Sequence, residues 1–280
     1  MSNHFGGEWT EIKINVFKKY LKAYMQIMKG KPWKLIYFDG FAGSGDIHSK
    51  KETEKVIEGT ARHVLNIKEP RAFDLFYFVE KNIDNASRLQ RIINTDYPEK
   101  TEVAFVRGGE DCNVKLLDMG NFLRGFKGKN YKAIAFIDPY GMQVKWSSLE
   151  SLKGLSLDLW ILVPTGIGIN RLLKNAEKSS LVWFETLGTF FGLDPKEIEE
   201  KFYYQDPQMD IFGEQRFKKI ENAVEVAAKL YQERLKTIFK YVSEPLALRN
   251  SNNAVLFHFM SASNVQVAIK IANDILKKEV

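Results

Sequence analysis

Residues 35–45 read Leu-Ile-Tyr-Phe-Asp-Gly-Phe-Ala-Gly-Ser-Gly, an apolar run that ends at Asp39 and passes directly into a glycine-rich turn. Such a run predicts a strand buried on both faces, and glycines in the turn let the backbone approach a ligand closely. The glycines lack the G-x-G-x-x-G spacing of a dinucleotide fingerprint, and the sequence holds no Gly-Lys-Ser/Thr. The turn is therefore a candidate ligand loop in which NAD(P) is disfavoured and a P-loop is excluded.

Four further apolar runs follow and alternate with helical patterns, at residues 73–79, 103–106, 133–137 and 157–163. Continuous runs of this kind predict an α/β fold with a mainly parallel sheet. Ligands of such sheets bind at the carboxyl ends of the strands. The polar residues that follow the runs are therefore the candidate site, namely Asp39, Glu80, Asp111, Asp138 and Thr165.

The second half of the chain departs from this alternation. Nine aromatic residues between Trp183 and Phe217 predict a helical, aromatic-rich insertion without strands and with its own small core. A helix of about 25 residues is expected next, from its apolar spacing. A hairpin around an Asn/Ser turn at 249–253 and a last helix over 265–276 then complete the sheet with an antiparallel strand. We therefore divide the chain into an α/β core (1–174), an insertion (175–215) and a completing segment (216–280).

Composition bounds the class of protein. The 280 residues carry 41 Lys+Arg and 35 Asp+Glu, with 45% hydrophobic and 27% charged residues, which is ordinary for a globular protein and excludes disorder or collagen. The single cysteine, Cys112, excludes a disulfide framework, and the four histidines have no metal-ligand spacing, so we expect no metal. With no apolar stretch of about 18 residues, we expect no membrane span, no signal peptide and a cytoplasmic location. The net charge of +6 only weakly indicates a nucleic-acid partner.

The segment Asp39-Gly40-Phe41-Ala42-Gly43-Ser44-Gly45 resembles motif I of S-adenosylmethionine-dependent methyltransferases, above all those that act on nucleic acids. The resemblance implies a class I, Rossmann-like fold in which this loop wraps the methionine part of the cofactor. It also implies that Glu80 grips the ribose hydroxyls and that Asp111 reads the adenine amine. The cofactor-binding residues expected on this basis are Asp39, Gly40, Phe41, Ala42, Gly43, Gly45, Glu80, Lys81, Asp111 and Cys112.

The catalytic position implied by the resemblance is Asp138-Pro139-Tyr140, which stands where the family has its motif IV, beside the methyl donor. Two features depart from the family. Glu80 follows Asp39 by 41 residues, more than the ~20 of a compact βαβ unit. The sequence at 138–141 is Asp-Pro-Tyr-Gly, not Asp-Pro-Pro-Tyr, and no Pro-Cys dipeptide is present, so Cys112 is not expected to be a cytosine-C5 nucleophile.

A closer resemblance extends over nearly the whole chain. The chain is similar to the three-Cys-motif partner protein family (TcmP) in Gly6-Gly7-Glu8-Trp9-Thr10-Glu11-x-Lys13, in residues 37–45, and in further short motifs at 59–61, 79–81, 111–113, 136–141 with Trp146, and 168–172. This resemblance implies a methyltransferase-like fold and a genomic partner that bears three cysteines. It implies no established substrate.

Several residues have two interpretations on the sequence alone. Asp111 suits a helix N-cap as well as an adenine contact. Trp146 and Tyr140 could stack on a flipped base, whereas core packing is the commoner fate of a residue such as Trp146. Asn170 and Arg171 could meet an anionic substrate or form an ion pair on a helix surface. Thr165, which follows the fifth run, is grouped with Trp146, Asn170 and Arg171 as a candidate substrate contact.

Three functional hypotheses follow. The first is a methyltransferase that uses S-adenosylmethionine to modify a nucleic-acid base, with Asp138, Pro139 and Tyr140 at the acceptor. The second is a non-catalytic module of the same fold that binds a three-cysteine protein or a nucleic acid. The third is a metal-dependent nuclease, in which the four acidic strand ends gather a magnesium ion. The oligomeric state is not predicted.

Overall fold

A computed structural model describes residues 8–48, 56–169, 181–205 and 217–279. In chain order its main elements are α1 (Glu8–Met28), β1 (Lys34–Asp39), β2 (Asp46–His48), β3 (Val56–Glu58), α2 (Thr60–Leu65), β4 (Leu75–Glu80), α3 (Ile83–Asp96), β5 (Ala104–Gly108), α4 (Cys112–Arg124), β6 (Tyr131–Ile137), α5 (Trp146–Glu150), β7 (Leu157–Val163), α6 (Leu181–Phe191), α7 (Pro195–Phe202), β8 (Tyr203–Gln205), β9 (Phe217–Lys219), α8 (Ala223–Leu235), β10 (Tyr241–Val242), β11 (Leu246–Arg249), β12 (Val255–Ser263) and α9 (Gln266–Leu276). Within these ranges no helix is both long enough and apolar enough to cross a membrane.

The central sheet has the strand order β10-β12-β7-β6-β1-β4-β5, with β11 also paired to β12. Strands β5, β4, β1, β6 and β7 are parallel, and β12 runs antiparallel beside β7. All seven residues of β7 are buried, which explains why its sequence is apolar throughout and does not alternate. The predicted α/β fold, a mainly parallel Rossmann-like sheet closed by an antiparallel hairpin strand, is confirmed by this order.

The core lies on both faces of the sheet. On one face α1 contributes Phe17 and Tyr20, whose rings contact Trp160 of β7. On the other face, buried residues of α4 and α8 belong to one cluster with residues of β1, β4, β6 and β7. Buried residues recur along α1 at spacings of three and four, as a helix with one face on a sheet requires.

Two local predictions were wrong. The helix expected from residue 217 begins only at Ala223, because residues 217–219 form β9, which pairs with β8. The insertion therefore contains a strand within its predicted range, and the N–H of Ile220 donates to the carbonyl oxygen of Phe202 at 3.0 Å. Backbone pairing with β8 outweighs the helical spacing of the apolar residues here. The polar stretch after the glycine turn likewise contains a short hairpin, β2 with β3.

The separate core expected for the insertion was also wrong. Phe190 and Phe191 of α6 contact Tyr231 of α8, with ring centroids 4.9 Å and 5.9 Å away. Tyr231 in turn contacts Trp146 of α5. These aromatic side chains join the same buried cluster as β6 and β7, so α6 and α7 extend the main core. The division of the chain into three segments remains a prediction.

Candidate functional site

A cavity of about 570 Å³ opens at the carboxyl ends of the parallel strands. This volume lies in the range of small-molecule sites in proteins. Its walls include every residue from Asp39 to Gly45, together with Glu80, Lys81, Asp111, Cys112 and the segment Asp138–Tyr140. The structure thus brings together all the residues that the sequence assigned to cofactor binding and catalysis, as the rule for parallel sheets predicts.

The glycine-rich loop is held in place by hydrogen bonds that its N–H groups donate to the neighbouring strand β4. Gly43 has a φ of 63°, a conformation that glycine adopts without strain, and its N–H donates to Glu80 Oε2 at 2.8 Å. The N–H of Ala42 donates to the carbonyl oxygen of Val79 at 2.9 Å. A Cβ atom on Gly43 would meet no heavy atom within 4 Å, so open space lies beside the loop.

Glu80 uses both of its oxygens to fix the site. Its Oε1 accepts a hydrogen bond from the N–H of Asn82 at 2.7 Å, next to the start of α3, while Oε2 holds the loop. A carboxylate oxygen has two lone pairs, so each oxygen can accept a further hydrogen bond. Glu80 therefore positions the loop and can still receive a vicinal pair of hydroxyls.

Gly40 and Cys112 pack closely beneath the loop. A Cβ atom on Gly40 would lie 2.5 Å from Sγ of Cys112 and 2.8 Å from Cδ1 of Ile137. Burial raises the pKa of the Cys112 thiol, with Asp111 and Asp39 adding to the effect, so the thiol stays protonated. Because the thiolate is the reactive form of cysteine, this environment argues against a nucleophile and for a packing role.

Replacing Gly40 with alanine is expected to lower the free energy of unfolding by about 1–3 kcal/mol, the usual range for an overpacked core. Cys112→Ala removes the Sγ atom that a new methyl group would meet. The double variant G40A/C112A is therefore expected to lose less stability than the two single variants added together. Urea unfolding of all three checks this, and strictly additive losses would contradict the packing argument.

Asp111 caps helix α4. Its Oδ1 accepts hydrogen bonds from the backbone N–H and the side-chain amide of Asn113, at 2.8 Å and 2.9 Å. The buried Asn113 amide also donates to the carbonyl oxygen of Gln143 and accepts from the N–H of Lys145. The N-cap interpretation of Asp111 is confirmed, and the adenine contact stays a prediction. Asn113 ties α4 to the segment after Asp138, a link that sequence reasoning missed.

Lys13 forms an ion pair with Asp138, and both residues line the cavity. The Lys13 side chain is only 5% exposed, whereas that of Asp138 is 23% exposed. Lys13 lies on the buried face of α1, where its ammonium is 5.3 Å from the ring centroid of Trp9. Sequence reasoning assigned no role to Lys13, although a lysine one helical turn from Trp9 and from Phe17 on an apolar face was a usable signal.

Asp39 is buried beneath the loop. Its Oδ1 accepts from the N–H of Phe41 at 3.1 Å, and Oδ2 accepts from the hydroxyl of Tyr37 at 2.9 Å. Burial raises the pKa of the Asp39 carboxyl, the two hydrogen bonds and Lys13 lower it, and the nearby Asp138 raises it, with a net result of about 7. Across the described ranges, no three His, Cys, Asp or Glu residues group closely enough to hold a metal ion.

The remaining predicted residues differ in their placement. Tyr140 lies at the cavity rim with 51% of its surface exposed, and its N–H donates to Gln143 Oε1 at 3.0 Å.

Trp146 is 2% exposed and packs edge-on against Tyr231, which leaves no ring face for a base, so the core interpretation is correct and the base-stacking interpretation is not. Thr165 is fully buried against His258, with Oγ1 2.8 Å from Nδ1, and does not line the cavity. The predicted substrate contacts Asn170 and Arg171 lie outside the described residues.

No protein-family model matches the chain, and no curated protein matches its sequence. Solved structures similar to it include a DUF519 protein from Legionella pneumophila (15% identity, TM-score 0.45, covering 93% of this chain and 98% of that one). Another is described as an S-adenosylmethionine-dependent methyltransferase from Listeria monocytogenes (11%, 0.40, 90% and 99%). A third is Trm1 from Pyrococcus horikoshii in complex with S-adenosyl-L-methionine (9%, 0.36, 96% and 76%). Identities and TM-scores are low throughout, so the fold is established by the strand order and no function is transferred from these proteins.

Proposed function

We propose that the protein is a cytoplasmic S-adenosylmethionine-dependent methyltransferase whose acceptor is a nucleic-acid base. One observation carries the proposal: the glycine-rich loop, held by Glu80, and the Lys13–Asp138 ion pair line a single cavity. The loop offers backbone groups and the Glu80 carboxylate, which can bind a diol. The ion pair offers the Asp138 carboxylate, which Lys13 holds in place. That division suits two ligands that must meet within one cavity.

The residues of the first side fit the cofactor. Open space beside Gly43 leaves room for the methionine part along the loop. Glu80 can accept hydrogen bonds from both ribose hydroxyls through its remaining lone pairs. Asp111 and Asn113, at the start of α4, line the same wall at the position proposed for the adenine ring, with Lys81 and Cys112 beside them.

When bound, the cofactor supplies a methyl group on a positively charged sulfonium. The chain contributes position and the exclusion of water, which are the main needs of a direct transfer. Lys13 fixes the carboxylate of Asp138, which can accept a hydrogen bond from an N–H of the acceptor. Pro139 restricts the backbone that follows Asp138, and the ring of Tyr140 at the rim can stack on the acceptor.

We further propose that the chain belongs to the three-Cys-motif partner protein family, on the motifs quoted above. A protein bearing three cysteines is then its expected partner. The second candidate, a non-catalytic module that binds this partner or nucleic acid, shares the same cofactor side. A methyl-transfer assay separates the two candidates, because only the first of them catalyses a reaction.

Titration calorimetry with S-adenosylhomocysteine tests the cofactor side. The unaltered chain is expected to bind it, and Glu80→Gln to bind about 10- to 100-fold more weakly, because hydrogen bonds to a charged group are lost. The glutamine amide would also turn an N–H toward a backbone N–H, either that of Gly43 or that of Asn82. Glu102→Gln, at an exposed position outside the cavity, is the matched control and should bind like the unaltered chain.

Two results would count against the proposal. No heat from the unaltered chain with millimolar S-adenosylhomocysteine would remove the cofactor assignment. Binding without transfer of a radiolabelled methyl group to total RNA or DNA would favour the non-catalytic module. Transfer that is lost in Asp138→Asn, in protein shown to be folded, would support the catalytic assignment.

A further inference from the structure

The first turns of α1 form a wall of the cavity that sequence reasoning did not assign. Trp9, Thr10 and Lys13 all line it. Thr10 is 3% exposed, and its hydroxyl is buried without a hydrogen-bond partner among the described residues. Leaving a buried hydroxyl unsatisfied is unfavourable and rare in native proteins. Within the described ranges four side-chain polar atoms share this condition, and Thr10 is the only one of these residues that lines the cavity.

Aromatic and apolar side chains line the cavity together with Thr10. The rings of Trp9 and Phe257 contact each other, with centroids 5.0 Å apart and planes tilted by 32°. Phe136 and Leu162 line the same cavity. Aromatic walls of this kind favour a flat ligand, because ring faces gain most from stacked or tilted contact with another ring.

The strand order separates this wall from the cofactor side. Phe136, Leu162 and Phe257 come from β6, β7 and β12, which lie on one side of β1. Glu80 comes from β4, on the other side of β1. The cavity therefore has two halves that meet at the end of β1. We call the half at β4 the cofactor half and the half beneath α1 the α1 half. If the cofactor half holds the cofactor, the α1 half is free for the second reactant.

The charges of this half are balanced. Lys13 and Asp138 are paired with each other, so the half carries no net charge from these two groups. A neutral ligand therefore suits it better than an anion or a cation, since a charged ligand would leave an unbalanced charge in a partly buried site. Asp138 remains able to accept a hydrogen bond, and the Thr10 hydroxyl can donate or accept one.

We propose that the α1 half of the cavity binds a neutral, planar nitrogen heterocycle, with Thr10 hydrogen-bonded to a polar ring atom and Asp138 accepting from an N–H of the same ring system. The proposal rests on the proposed function, because it takes the other half as the cofactor site. Thr10, on α1, is then a specificity-determining residue that no strand-end motif reveals. The acceptor must carry a flat ring, an N–H group and a second polar atom.

The test uses 9-methyladenine and 1-methylcytosine as probes, with the full chain saturated with S-adenosylhomocysteine so that the cofactor half is blocked. Binding is followed by NMR saturation transfer and by calorimetry. At least one probe is expected to bind the unaltered chain, and Thr10→Val is expected to weaken that binding about 2- to 10-fold, the usual value of one neutral hydrogen bond. Thr10→Ser keeps the hydroxyl and should keep most of the affinity. Thr95→Val, exposed on α3, is the matched control.

Affinity for S-adenosylhomocysteine itself should be the same in all these variants, because none of the replaced residues contacts the cofactor half. If the saturated protein binds neither base, or if Thr10→Val binds as well as the unaltered chain, the acceptor inference is overturned and the cofactor proposal stands. If the unaltered chain fails to bind S-adenosylhomocysteine, both are overturned.

Discussion

Replacing Asp138 with asparagine is expected to lower the free energy of unfolding by about 3–5 kcal/mol, the usual loss when one partner of a buried ion pair is removed. The reason is the asymmetry of the pair. Lys13 is almost completely buried beside Trp9, so the asparagine variant removes the carboxylate that pairs with its ammonium at a site with little access to water. Activity is expected to be lost as well, but the loss of stability is independent of any assumption about the reaction.

Lys13→Met is expected to be milder, because the Asp138 carboxylate that it leaves behind is partly exposed to the cavity. The double variant K13M/D138N is expected to recover most of the stability lost in Asp138→Asn, since it buries no unpaired charge. Urea unfolding near pH 7 measures all three. Lys18→Met, on the exposed face of the same helix, is the control and should stay within about 0.5 kcal/mol of the unaltered chain. A double variant no more stable than Asp138→Asn would show that the pair is not the cause.

The pair also marks the limit of what the sequence could predict. Most of the parallel strands are visible because strands covered on both faces carry unbroken apolar runs, as β7 does, and the ends of parallel strands must meet at one edge. The run at 103–106 was expected to be buried as well, but β5 lies at the edge of the sheet and is mostly exposed. The gathering of Asp39, Glu80, Asp111 and Asp138 follows from that geometry alone. The partner of Asp138 does not, because Lys13 is 125 residues away and helix packing decides which side chain reaches the strand end.

The structure buries both Thr165 and Trp146, two of the predicted substrate contacts, for different reasons. Thr165 begins a π-helical turn, Thr165–Ile169, in which the N–H groups of Gly168 and Ile169 both donate to the carbonyl oxygen of Pro164. The Thr165 side chain, at the start of this turn, faces His258 on β12 and not the cavity. Trp146 begins α5 and packs its ring beneath the sheet against Tyr231. A backbone turn such as Thr165–Ile169 has no distinctive residue pattern, so the sequence could not separate Thr165 from the site. For Trp146 the sequence already offered core packing as the commoner alternative.

Asp39 is expected to make the protein less stable as the pH rises from about 4 to about 7. Burial raises the pKa of its carboxyl to about 7 in the folded chain, against about 4 in the unfolded chain. Between these values the folded state holds a proton that the unfolded state has released. The contribution of Asp39 is therefore fully present below about pH 4, falls by roughly 1 kcal/mol per pH unit, and is lost above about pH 7.

His258 is expected to act in the opposite direction over most of the same window. Burial lowers the pKa of its imidazole, Glu225 opposes this change and Arg249 adds to it, so that the pKa is about 4 in the folded chain against about 6.5 in an unfolded chain. Between about pH 4 and 6.5 the unfolded state binds a proton that the folded state does not. The contribution of His258 is therefore fully present above about pH 6.5 and is lost as the pH falls toward 4.

In the unaltered chain, the pH dependences of stability that Asp39 and His258 contribute largely cancel. Replacing one of these residues at a time is expected to make each contribution measurable. Asp39→Asn keeps an oxygen for the N–H of Phe41 and removes the titrating group, so its stability relative to the unaltered chain should rise with pH between about 4.5 and 6.5. His258→Gln keeps a polar partner for Thr165, and its relative stability should fall with pH over the same range. Urea unfolding at three pH values, without cofactor, measures both differences, and the other carboxyl groups cancel because every variant shares them. A flat difference for Asp39→Asn would mean that this carboxyl is already ionised near pH 4.5 and that water reaches the floor of the cavity beneath the glycine loop.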